Sequence, residues 1–146
     1  MTDWIKSRRP VVVLGTVGHD AHIAGSTVLK FALEEAGAKV VFLHAHVEPR
    51  EFIDAARESN ADAIWVSSLY GMGRLDLENF GQICAEAGLA DVPKYVGGIL
   101  VTDPEEWSIT EKLFKDIGFN RVYPPQTKPE VAMQDLEDDL KAASRT

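Results

Sequence analysis

Residues 11–43 read VVVLGTVGHDAHIAGSTVLKFALEEAGAKVVFL, and this stretch decides the fold class. It opens on a continuous apolar run, Val11-Val12-Val13-Leu14, and closes on another, Lys39-Val40-Val41-Phe42-Leu43. β-Branched runs without polar alternation belong to strands buried on both faces, as in parallel sheets covered by helices. Between them Gly25, Leu29, Ala32, Leu33 and Ala36 recur at helical spacing. Gly37 follows, where a helix ends in a left-handed residue. The stretch is one β-α-β unit.

Downstream the alternation repeats. Ala63-Ile64-Trp65-Val66, Lys94-Tyr95-Val96 and a weaker Arg121-Val122-Tyr123 predict three more strands. Helical periods run through Leu77, Phe80, Cys84 and Ala87, then Trp107, Thr110, Phe114 and Ile117, then Ala132, Leu136, Leu140 and Ala143. Gly88 and Gly118 follow two of these segments. Asp103-Pro104-Glu105-Glu106 and Thr127-Lys128-Pro129-Glu130 each supply a cap, a first-turn proline and a glutamate. No repeat, low-complexity tract or linker interrupts them. The expectation is one domain over residues 1–146, of α/β class. Its sheet is five-stranded, parallel and doubly wound (Rossmann-like or flavodoxin-like), with flanking helices.

The composition narrows the function. The 146 residues, 45% hydrophobic and 26% charged, suffice for one sizeable core. Fifteen basic against twenty-three acidic side chains leave a net charge of −8, which repels polyanions. Lys6, Arg8 and Arg9 form the one basic cluster and read as a solvated leader, so no nucleic-acid partner is expected. No apolar stretch approaches a membrane span, and Met1 to Lys6 lacks the apolar core of a signal peptide. A cytoplasmic chain with no membrane partner is the expectation. The lone Cys84 excludes an internal disulfide or CxxC motif and fits a helical core position. A (β/α)8 barrel, which takes about 250 residues, does not fit in this length.

In a doubly wound sheet, ligands bind beyond the carboxyl ends of the strands, near the switch in strand order. The loop after strand one reads Gly15-Thr16-Val17-Gly18-His19-Asp20-Ala21-His22-Ile23-Ala24-Gly25. His44 and His46 follow strand two, Ser67-Ser68-Leu69-Tyr70-Gly71-Met72-Gly73 strand three, and Gly97-Gly98-Ile99-Leu100-Val101-Thr102 strand four. All four histidines fall on this edge. An Asp-x-His pair such as Asp20 and His22 suits a metal-bound imidazole whose other N–H is held by a carboxylate. The same spacing suits a capping aspartate beside a surface histidine. The glycines either serve tight turns or leave room for a large, flat ligand. The first loop carries neither a Walker sequence nor the dinucleotide fingerprint. Zinc held by His19, Asp20, His22, His44 or His46 stays open. Without that, His44 and His46 read as partly exposed ends of strand two. A response-regulator site is excluded, because strand one ends without an acidic pair. Trp65 and Trp107 are assigned to the core. Asp135, Glu137, Asp138 and Asp139 read as the solvated face of the last helix.

Asp20-Ala21-His22-Ile23-Ala24-Gly25 resembles the Asp-x-His-x-x-Gly signature of cobalamin-binding domains. Ser67-Ser68-Leu69 and Gly97-Gly98 fall where that family has its second and third motifs. The loop from Ser67 to Gly73 and the tail Gly118-Phe119-x-Arg121-Val122-Tyr123-Pro124-Pro125 resemble the small subunits of glutamate mutases in particular. The resemblance runs from about Val11 into the final helix. His19, Met72 and Ile99 depart from the pattern.

The resemblance implies adenosylcobalamin as cofactor, with His22 as the metal ligand, the lower axial ligand of cobalt. Asp20 would hold the far nitrogen of His22, and these two residues carry the catalytic role. The displaced nucleotide tail would lie in a cleft between the sheet and the first long helix. His19, Ala21, Ile23 and Gly25 would border the cofactor from the first loop. Ser67, Ser68 and Leu69 would line the cleft with Gly97, Gly98, Ile99, Leu100, Val101, Thr102 and Asp103, and Ser67 would bond a ring nitrogen. The implied activity is an isomerase reaction, the radical rearrangement of (S)-glutamate to (2S,3S)-3-methylaspartate. It would need a large barrel subunit in a heterotetramer. The alternative is a stand-alone cobalamin carrier or sensor, or the cobalamin-binding component of another mutase.

Overall fold

The computed structural model describes residues 3–17, 24–67, 77–97, 104–124 and 127–143. In chain order these form α1 (Asp3–Arg8), β1 (Val11–Thr16), α2 (Ala24–Ala36), β2 (Lys39–Phe42), α3 (Pro49–Ser59), β3 (Ala63–Ser67), α4 (Phe80–Glu86), β4 (Lys94–Gly97), α5 (Pro104–Ile117), β5 (Arg121–Val122) and α6 (Pro129–Ala143). The strands make one parallel sheet in the order β2-β1-β3-β4-β5, as the alternation predicts. Strand order reverses between β1 and β3, which are directly paired with Val13 opposite Ile64 and Thr16 opposite Ser67.

Both sheet faces are buried, and side chains alternate between them with the two-residue period of a strand. Val13, Ile64, Val66 and Val96 point into a core under α3, α4 and α5. Phe80 is central there, stacked on Phe119 at 5.3 Å and edge-on to Phe52 at 6.1 Å. Val12, Leu14, Ala63, Trp65 and Tyr95 point the other way, beneath α1, α2 and α6. Gly37, Gly88 and Gly118 close their helical segments at φ of 108°, 82° and 128°, the left-handed geometry the sequence requires there. Gly81 and Gly118 also let α4 and the end of α5 touch: a Cβ on Gly81 would lie 2.1 Å from the Ile117 carbonyl oxygen.

The structure departs from the sequence pattern in four places. Periodicity does not announce α3, because among its eleven residues the buried ones are Phe52, Ile53 and Ala56. Pro49 opens it, the Glu51 carboxylate accepts the Glu48 N–H at 3.1 Å, and Asn60 ends it in the left-handed region. The N-terminal basic segment is no solvated leader. It forms α1 with Ile5 fully buried, while Lys6 and Arg8 on that helix and Arg9 after it are exposed. Ala143, the last residue of the helical period that the sequence puts on a buried face, is exposed at the end of α6. That helix of fifteen residues outruns strands of two to six.

The fourth departure is the acidic run of α6, of which Asp138 alone is simply exposed. Asp135 and Asp139, one turn apart, face β4 and β5. The Tyr95 hydroxyl donates to Asp139 Oδ2 at 2.5 Å and the Tyr123 hydroxyl to Asp135 Oδ2 at 2.7 Å. Arg121 donates to both Asp139 oxygens, from Nε at 3.0 Å and Nη2 at 2.9 Å, and its Nη1 lies 3.3 Å from Asp135. Glu137 is buried and paired with Lys141 at 3.0 Å. The partners of Asp135 and Asp139 lie 12 to 44 residues away in the chain, so helical spacing alone does not reveal them. Hydrogen bonding to Arg121 holds the Asp139 carboxyl below its ordinary value, with Tyr95 adding to the effect. Burial, then the carboxylate contact, pushes both tyrosine hydroxyls up.

Because its folded pKa is lowered, Asp139 stabilises fully above its ordinary pKa, and that contribution is lost as pH falls through the folded value. Asp139→Asn is expected to cost about 1–2 kcal/mol near neutral pH, allowing for partial exposure. The gap between wild type and variant in urea unfolding should close between about pH 5 and about pH 2. A gap that persists unchanged in acid rules out this origin. Gly81→Ala should lower stability by about 2–3 kcal/mol through overpacking at the α4–α5 contact, read as a fall in Tm.

Candidate functional site

A cavity of about 270 Å³ opens at the carboxyl edge, between the sheet and helices α2 and α6. Its floor follows from strand alternation: Leu14, Trp65 and Tyr95 share one face, and Ser67 and Gly97 end their strands on that face. Trp65 and Tyr95 are register partners, with rings stacked at 5.8 Å, and Tyr123 stands edge-on to Tyr95 at 6.0 Å. Val28 and Leu29 of α2 and Pro129 and Ala132 of α6 form the roof. Thr127 and Lys128 border it from the segment before α6.

The polar anchoring lies behind these walls. Since both tyrosine hydroxyls are committed to α6 carboxylates, the tyrosines offer the cavity ring surface. The Thr127 hydroxyl is likewise used, donating to the Pro124 carbonyl at 2.7 Å. Thr16 Oγ1 and Ser26 Oγ, both buried, lie 3.1 Å apart and tie the end of β1 to the first turn of α2. Ser67 is buried at the cavity, and its carbonyl accepts the Val17 N–H at 3.0 Å. Gly97 keeps the end of β4 narrow, where a Cβ would come 3.3 Å from Tyr123 Cβ. The Trp65 indole Nε1 is buried with no hydrogen-bond partner.

Of the residues singled out in the sequence, Ser67 and Gly97 are brought together as opposed strand ends in the cavity lining. Gly25 lies in the first turn of α2. His19, Asp20, Ala21, His22, Ile23, Ser68, Leu69, Gly98, Ile99, Leu100, Val101, Thr102 and Asp103 lie outside the described residues. Gly15 serves packing: a Cβ there would meet Leu43, Val47 and Phe52 at 3.1 to 3.2 Å. His44 and His46 are exposed, both with left-handed backbone, and the His44 carbonyl accepts the Thr16 N–H. Among the described residues no three His, Cys, Asp or Glu side chains gather as a metal site, and no helix is long and apolar enough to cross a membrane.

Sequence reading missed Trp65, Tyr95 and Tyr123 as cavity walls and Asp135 and Asp139 as their anchors. Aromatics in strand runs signal a core equally well. Ordered Thr127-Lys128-Pro129 after a strand was legible only as a helix start. Chemically, the described walls form a flat aromatic slot with few polar groups, suited to a planar heterocycle that brings hydrogen-bond acceptors. The Ser67 hydroxyl is a donor for such a group.

Residues 10–121 match the B12 binding domain family. The chain is 45% identical over 132 residues to the glutamate mutase sigma subunit of Clostridium tetani, spanning 90% of this chain and 96% of that one. It is 46% identical over 134 residues to glutamate mutase sigma subunit 2 of Haloarcula marismortui, spanning 92% and 90%. A solved cobalamin-binding protein from Desulfitobacterium hafniense superposes with a TM-score of 0.74 at 19% identity, over 90% of this chain and 60% of that one. The signal receiver domain of a Mycobacterium tuberculosis response regulator superposes with a TM-score of 0.66 at 14% identity, over 91% and 97%. At those identities the two structures share the fold alone. The sequence relatives share the family: this chain belongs to the B12 binding domain family and, within it, to the glutamate mutase sigma subunits.

Proposed function

We propose that this chain is the cobalamin-binding subunit of a glutamate mutase, an isomerase that works only as a complex with a large subunit. One observation carries the reading. Ser67 and Gly97, the first residues of the second and third cobalamin motifs, line one aromatic cavity. That cavity is roofed by α2, the helix that begins as the first motif ends at Gly25. Two motifs distant in sequence thus meet at one slot, roofed by the helix that follows the first, and its walls suit the nucleotide base of a corrinoid.

In this proposal His22 would hold the cobalt through one ring nitrogen, and Asp20 would accept a hydrogen bond from the other. That second contact fixes the tautomer and raises the ligand's basicity. Tyr95 and Tyr123, held from behind by Asp139 and Asp135, give the slot rigid walls that exclude water from the base. Ser67 donates to a ring nitrogen of that base, a buried acceptor that needs a partner. Gly25 allows close approach at the start of α2. The flanking contacts come from His19, Ala21, Ile23, Ser68, Leu69 and residues 98–103. Adenosylcobalamin, when bound, supplies the radical chemistry of the carbon-skeleton rearrangement between glutamate and 3-methylaspartate; the protein supplies binding and orientation. The large subunit brings the substrate-binding barrel, completing a cytoplasmic heterotetramer. The curated relatives, matched over 96% of the Clostridium tetani chain, favour this over a stand-alone carrier.

The test is an EPR spectrum of cob(II)alamin with the full chain, comparing unlabelled protein with 15N-histidine protein. The expected superhyperfine pattern changes with the label and is lost in His22→Ala. Cobalamin binding with no change on labelling overturns the histidine ligation. No binding, even with a large subunit present, overturns the functional reading. Ser67→Ala is expected to weaken cobalamin binding by about ten-fold, the worth of one buried hydrogen bond, in a titration followed by absorbance.

A further inference from the structure

We infer that Ile5 of α1 is a positioning residue for the cofactor slot, gripping α2 and α6 at the end away from the cavity; the inference rests on the functional reading above. α1 has six residues, and a helix this short is unstable in water by itself. Tertiary contacts therefore hold it. Ile5 is fully buried in the cluster that contains Leu33 of α2 and Leu136 of α6. Trp4, Ala36 and Leu140 pack against the same cluster. The backbones also meet: a Cβ on Gly37, directly after α2, would lie 2.7 Å from Lys6 Cα. The Pro10 carbonyl accepts the Lys39 N–H at 2.9 Å, tying the end of this segment to β2. α1 precedes the stretch that matches the B12 binding domain family, which begins at residue 10.

The grip and the cavity lie one turn apart on both roof helices. Leu29 of α2 and Ala132 of α6 line the cavity. Leu33 and Leu136 follow them by four residues each, about 6 Å further along either axis. The two helices are thus packed with Ile5 in their carboxyl-terminal halves and parted by the cavity in their amino-terminal halves. A helix flanking a cavity has few contacts there, so its spacing depends on the end where it is held.

Truncating Ile5 leaves a void at that end, which the neighbours fill only in part. α6 has a second anchor, the frame of Tyr95, Tyr123 and Arg121 with its two aspartates. The loss therefore falls on α2. In a fraction of molecules α2 leaves its place, and the apparent cobalamin affinity falls with the fraction that stays competent. A residue that touches no part of the slot then sets how well the slot binds.

The experiment compares Ile5→Ala in the full chain with Ile53→Ala, a fully buried position in the core on the other sheet face. Amide hydrogen exchange is read on α2 and on α3 without cofactor, and cobalamin is titrated with and without a large subunit. Ile5→Ala is expected to speed exchange in α2 about ten-fold more than in α3, and to weaken cobalamin binding about ten-fold. Ile53→Ala should speed exchange in α3 at least as much as in α2 and change cobalamin affinity less than about two-fold. Should Ile5→Ala fail to fold, Ile5→Val is expected to show the same contrast at about three-fold. Equal acceleration of both helices by the Ile5 variant, or equal loss of affinity in the Ile5 and Ile53 variants, makes Ile5 an ordinary core residue. Either result overturns the inference and leaves the functional reading standing. Absence of cobalamin binding to the wild type, even with a large subunit present, overturns the functional reading itself, and the inference with it.

Discussion

The carboxyl edge depends on a hydrogen-bonded frame that joins β4 and β5 to α6. Tyr95 and Tyr123 each give their hydroxyl to a carboxylate one helical turn from the other, and Arg121 bridges the two carboxylates. A buried tyrosine hydroxyl without an acceptor costs stability, so the frame fixes both the docking of α6 and the direction of the two rings. From those positions the rings become cavity walls. The charge that holds them sits behind, where Arg121 and the two aspartates are partly exposed and keep their solvation.

A second constraint comes from the glycines, which do two different jobs. Gly15, Gly81 and Gly118 permit close packing inside the protein, with neighbours that would collide with a Cβ. Gly97 stands at the cavity, where a Cβ would crowd Tyr123. Residue type alone does not separate these roles. Each is decided by what lies opposite, which is a property of the sheet register and of the helix that crosses above it.

The aromatic cavity explains how one fold serves unrelated tasks. Receiver domains and cobalamin-binding proteins share this sheet at low sequence identity, so the sheet places an edge and the loops and walls define the ligand. Here the strand ends offer Ser67 and Gly97, and the interior offers stacked aromatic rings. No acid–base pair lines the described part of the cavity, where Lys128 is the one basic side chain. That is the profile of a place that holds and orients a flat group.

The local sequence determined the strands, the helical segments α2, α4, α5 and α6 and the helix-ending glycines, because these follow from side-chain period and backbone sterics within a few residues. It also marked Ser67 and Gly97, since a motif is contiguous. Tertiary structure decided what periodicity does not encode. α3 is stabilised by a narrow buried stripe and local caps; the basic start of the chain is held down through Ile5; and the acidic face of α6 finds its partners across strands. Trp65 shows the limit most clearly. Its place in a strand was legible from its neighbours, but the lack of an acceptor at its N–H depends on every element packed around it.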